Sequence, residues 1–365
     1  MSGPATSVEA VLSVLEAQGH LPPGRRADAE AMLARLEDAP PWYVRAMIAF
    51  GAWLASLSFM SFVMGVSLFA TEGGFLATGA IFVVAAAVVR HRLDYDFSNQ
   101  AALAMSLAGQ VLIAVGVAKF GSNDSLEPPL LALIGLNAAL IPLYPDRTHR
   151  FLSVIFMTAA LVVLVYKWGI QDVLPFVAPV LAAAYVWLTY SDARFVTRGR
   201  DALTWPISAG LMVSAFGVVL LAAVYVLPEL AREFQFYPRP WISTLGFGAL
   251  LLYIEHRELS GSFGKHNGAR LAFYVVTMLV VVAALPAPGL VLSLVVVLMG
   301  AARGDRLMVG AGTAFLTVFT AAFFYGIETT LLVKSVILIA TGTILLVGQW
   351  CLFRLLQAGE GSSHA

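Results

Sequence analysis

Lys334 interrupts the apolar run ETTLLVKSVILIA, residues 328–340. An ammonium inside such a segment is costly, and groups of this kind commonly mark an ion path, a proton relay or a substrate site. Glu328 lies six residues earlier; at 1.5 Å per residue the lysine would sit roughly 8 or 9 Å along a helix from it. That depth is within snorkelling reach of an interface, and six residues is not a same-face spacing. Two readings stand: a lysine that snorkels or pairs locally, and one aimed into a bundle at a partner or ligand. The other polar groups set in apolar runs are the amides Gln110, Asn137 and Gln349. Each needs a hydrogen-bond partner, most simply on a neighbouring helix, with a lined cavity as the alternative. Asp305 and Arg306 close the turn ARGDRL, where an acid beside arginines could pair across helix ends, cap freed backbone groups or meet a ligand. The candidate partner- or ligand-binding residues are therefore Lys334, Glu328, Asn137, Gln110, Asp305 and Arg306.

Other chemistry is thinly represented. No acid falls in the middle of an apolar run; Glu127, Glu255 and Glu328 come nearest, at run ends, and all six histidines read as loop or tail residues. That disfavours a proton-driven transporter with a buried carboxylate. His91, Asp94 and Asp96 cluster in RHRLDYD but lack ligand spacing on a helix, and the single cysteine, Cys351, excludes a multi-cysteine centre. There is no G-x-S-x-G, no phosphate loop, and no nucleophile with a base nearby in sequence. The expectation is a non-enzyme without a cofactor.

The elements that must position these residues follow from composition. Of 365 residues, 59% are apolar and 12% charged, and mean hydropathy is +0.84. That excess exceeds what a soluble core needs and must face lipid. The formal net charge of zero, from 22 basic and 22 acidic residues, gives no reason to expect a nucleic-acid partner. No signal peptide is visible before the first long apolar run, so the amino terminus is expected to remain. Residues 1–43 read as a cytosolic segment of two short helices split by GHLPPG, residues 44–355 as an all-α transmembrane bundle, and 356–365 as a disordered cytosolic tail.

Within 44–355 the apolar runs predict twelve spans, at 44–68, 73–89, 99–118, 128–144, 149–166, 171–190, 203–228, 239–255, 269–286, 288–302, 306–327 and 329–355. The tenth is short and joined to the ninth by LPAPGL, so a re-entrant pair is the alternative there. Pro142, Pro175 and Pro179 are expected to bend or open their spans. With the amino terminus inside, seventeen Lys and Arg fall on inner segments and four on outer loops, Lys334 being set aside. The positive-inside rule then puts both termini in the cytosol. Six of the seven tryptophans fall near predicted span ends, where indole prefers the interface; Trp53 is deep. The inner loops RHRLDYDFSNQ, YPDRTHRF, SDARFVTRGRD, EHREL and ARGDRL recur at the spacing of one helical hairpin, which predicts tandem two-helix units in parallel orientation.

PWYVRAMIAFGAWLASL, FSNQAALAMSLAGQ and APGLVLSLVVVLMGAARGDRLMVGAGTAF followed by TTLLVKSVILIATG resemble a bacterial membrane family catalogued as domain of unknown function forty-four-oh-one. The resemblance covers almost the whole chain and is carried best by Ala302–Arg306 together with Leu331–Ser335. An acid often precedes the lysine in that family, where this chain has Val333. The resemblance implies an inner-membrane location and a small membrane-anchored neighbour bearing a Gly-Asp-Tyr-x-x-Leu-x-Tyr motif. It implies no activity. Two expectations follow: a non-enzymatic scaffold or accessory subunit for a partner membrane protein, or a transporter or lipid-handling protein.

Overall fold

The computed structural model describes residues 71–92, 96–120, 125–196, 201–223, 239–262 and 267–326, with single helical positions between 47 and 58 and between 332 and 339. The described residues form an all-α array of ten helices: α1 (Glu72–Arg92), α2 (Asp96–Phe120), α3 (Glu127–Leu143), α4 (Arg147–Lys167), α5 (Leu174–Val196), α6 (Asp201–Ala223), α7 (Pro240–Ser262), α8 (Asn267–Ala283), α9 (Pro288–Arg303) and α10 (Arg306–Gly326). A 3-10 turn, Gln171–Val173, leads into α5. Among the described residues, five segments are long and apolar enough to cross a membrane: Gly73–Arg92, Phe97–Phe120, Arg147–Lys167, Gln171–Ser191 and Leu203–Leu221. Each helix lies on one apolar run of the sequence. The segments 1–43 and 356–365, Lys334, Glu328 and Gln349 lie outside the described residues.

Helix packing runs through chain neighbours, α1 on α2, α3 on α4, α5 on α6 and α9 on α10, and through α4 on α6, α5 on α7 and α7 on α9. Glycine lets the tightest pair close. A Cβ on Gly79 would stand 2.7 Å from the Gly109 carbonyl oxygen, and one on Gly109 would stand 2.7 Å from that of Gly79. Without hydrophobic drive between lipid-facing helices, such backbone approach supplies much of the packing energy.

Helix α9 is the axis of the larger core. Val291, Leu292, Val295, Val296 and Met299 are buried against Phe216, Phe247 and Phe319. Its 16 residues measure about 24 Å, less than the ~30 Å of hydrocarbon. Enclosure by neighbours covers this short helix from Pro288 to Gly300, while its last residues, Ala301 to Arg303, are exposed.

Helix α5 continues through Pro179. Proline lacks the N–H that would bond the carbonyl four residues back, and the Pro175 carbonyl instead accepts the Ser243 hydroxyl of α7 at 2.6 Å. The helix is thus repaired by its neighbour.

Candidate functional site

The Asp146 carboxylate starts the site. Pro145 and Asp146 end the α3–α4 turn, and Asp146 Oδ1 accepts the His149 backbone N–H at 2.7 Å, the geometry of an N-cap. Its Oδ2 lies 3.8 Å from Arg90 Nε at the end of α1. Capping fixes the first turn of α4 and so aims His149 inward, where it is fully buried. Its Nε2 lies 2.9 Å from Ser106 Oγ and 3.3 Å from Gln110 Nε2 of α2, and its Nδ1 lies 3.2 Å from Ser153 Oγ one turn further along α4. Tyr144 stacks on the imidazole, centroids 4.2 Å apart and planes at 24°. Its hydroxyl is buried with no hydrogen-bond partner among the described residues. Arg150 Nε donates to the Ile141 carbonyl at 2.9 Å, satisfying a free end of α3.

This arrangement corrects two expectations. His149 is a helix residue at the centre of a polar cluster, and His91 and His256 also lie on helices rather than in loops. A hydroxyl and a possible base, far apart in the chain, do meet at Ser106 and His149. Among the described residues the second ring nitrogen, Nδ1, faces the Ser153 hydroxyl, and Ser106 is fully buried. As arranged, the cluster locks α2 to α4. Its signal in sequence was the i, i+4 spacing of Ser106 with Gln110 and of His149 with Ser153, which puts each pair on one helix face.

The sequence-derived candidates divide. Gln110 reaches across helices as expected. Asn137 donates Nδ2 to Leu133 of its own helix at 2.9 Å, and its Oδ1 is buried without a partner among the described residues. Asp305 Oδ1 accepts the backbone N–H groups of Leu307 and Met308 at 2.9 and 3.2 Å, capping α10. Gly304, at φ 67°, ends α9 in the left-handed conformation that glycine tolerates, and the Asp305 N–H returns to the Gly300 carbonyl at 2.9 Å. The ARGDR turn is therefore a C-cap followed directly by an N-cap. Arg303 donates to the Thr189 carbonyl of α5, while Arg306 is exposed. On the α7 rim, Glu258 accepts the Tyr190 hydroxyl at 2.8 Å and the Arg257 guanidinium lies 3.9 Å from the Tyr190 ring centroid.

These turns and clusters fall within a single family match. The model for the domain of unknown function DUF4401 matches residues 41–355. The chain belongs to the DUF4401 family. The DUF4401 region contains every candidate residue named above, together with the His149 cluster. Neither the curated proteins nor the solved structures contain a match.

Proposed function

We propose that this DUF4401 protein is a non-enzymatic multi-pass scaffold or accessory subunit of the bacterial inner membrane, holding a partner membrane protein against its outer or lipid-facing surface. The reading includes twelve spans built from tandem hairpins, both termini cytosolic, and Lys334 and Glu328 as candidate contacts. The observation that carries it is the filled interior: α9, where a repeat-built transporter would keep its midplane site, is packed with apolar side chains. The polar groups of the His149 cluster bond largely to one another. The partner proposed from the family resemblance is the small membrane-anchored protein with the Gly-Asp-Tyr-x-x-Leu-x-Tyr motif.

The test is gentle purification of wild type and Lys334→Met from native membranes, with mass spectrometry of all copurifying proteins and lipids. A stoichiometric protein partner, lost or weakened in the variant, is the expected result. Wild-type protein that accumulates normally and associates with nothing while that partner is present would sink the scaffold reading. A transporter or lipid-handling protein is the second reading, favoured by Pro142, Pro179 and Pro206 within helices. It would gain if a solute or lipid raised thermal stability.

A further inference from the structure

A second polar site, separate from His149, lies where α5, α6 and the α9–α10 turn meet. A cavity of about 180 Å³ is lined by Thr189, Thr204, Trp205, Ser208, Arg303 and Asp305, among others. That volume suits a head group rather than a drug-sized ligand.

Three properties define what fits it. Ser208 is only 7% exposed and is one of the residues that line the cavity wall. Arg303 is held in place by its bond to the Thr189 carbonyl. Asp305 spends Oδ1 on the α10 cap, and Oδ2 carries no ion pair or hydrogen bond among the described residues. One fixed cation, one fixed anion and buried hydroxyl groups favour a ligand that is itself zwitterionic over a purely anionic one. The location narrows it further. Trp205 on the cavity wall is 56% exposed and Trp187 on α5 is 62% exposed, as expected of indoles at head-group level.

We infer that this cavity binds the phosphoethanolamine head group of a membrane lipid, with its phosphate on Arg303 and Ser208 and its ammonium on Asp305. The inference holds whether or not the chain has a protein partner.

Native mass spectrometry of the full-length protein tests it, by titration with phosphatidylethanolamine, phosphatidylglycerol, phosphatidylcholine and water-soluble glycerophosphoethanolamine. Wild type should retain phosphatidylethanolamine about tenfold better than the other two lipids, the factor one charge-assisted hydrogen bond supplies. Asp305→Asn keeps a capping side chain and should abolish that preference. Ser208→Ala, which removes only an oxygen, should weaken retention of phosphatidylethanolamine with its melting temperature unchanged. Equal retention of all three lipids by wild type, or a preference that survives Asp305→Asn, would overturn the proposal. So would glycerophosphoethanolamine competing at the same concentration as the lipid, which would make the ligand a soluble one.

Discussion

The turns at Asp146 and Asp305 are built alike and end differently. Each places an aspartate before an arginine at the start of a helix, and each caps the N–H three residues on, at His149 or Met308. Each brings that third residue to a tyrosine: Tyr144 stacks on His149, and the Tyr185 hydroxyl donates to Met308 Sδ at 3.3 Å. Around His149 the neighbouring helices close, Ser106, Gln110 and Ser153 meet the imidazole, and the region is a lock in which the buried Tyr144 hydroxyl has no hydrogen-bond partner among the described residues. Around Asp305 they leave a cavity lined by Ser208, Arg303 and Asp305, so the region can accept a ligand. The same turn chemistry thus supplies local order in both places, and helix approach decides whether that order is consumed internally or offered outward.

The contrast can be broken most severely at its tightest approach. Gly109→Val would drive a side chain onto the α1 backbone and should cost about 3 kcal/mol or more, seen as loss of the monodisperse peak on size-exclusion chromatography. Gly135→Ala, with open space around it, should leave the peak intact; similar behaviour of the two would refute the close α1–α2 packing. Next in size is His149→Leu, which orphans buried hydroxyls on two helices and should cost about 2–3 kcal/mol, read as a lower apparent melting temperature in detergent. An unchanged melting temperature would mean the cluster is no lock.

Smaller effects separate cap from cluster. Asp146→Ala and Asp305→Ala should each lose about 1 kcal/mol, while the corresponding asparagine variants recover most of it. If Asp146→Asn melts as low as Asp146→Ala, the Arg90 contact rather than the cap is what matters there. Ser208→Ala should change stability by less than about 0.5 kcal/mol. Accessibility sharpens the same division. In a Cys351→Ser background, Ser208→Cys should react with a small maleimide and Ser106→Cys should not; equal labelling would erase the distinction between an open and a sealed site.

Much of the architecture was legible along the chain because lipid imposes a length and a polarity on each helix. The ten described helices sit on ten of the apolar runs, and the acids of YPDRTHRF and ARGDRL do cap backbone groups. Errors gathered at helix ends. Glu255 and His256 read as the close of a run, yet α7 continues to Ser262, and the Glu255 carboxylate accepts the Thr277 hydroxyl of α8. A half-buried acid tied to its neighbour can remain helical, which a hydropathy window cannot register.

The sequence by itself determined an all-helical chain built for a membrane, the position of its turns, and the types of residue available to each turn. Only the tertiary structure decided that Ser106 meets His149 across 43 residues, that Ser243 repairs the Pro175 carbonyl across 68, and that Gly79 faces Gly109. It also decided that one polar site is closed and the other open. The physical reason is that hydrogen bonding along a helix is local and written in consecutive residues. The rotation and approach of one helix against another depend instead on small residues and partners distant in the chain.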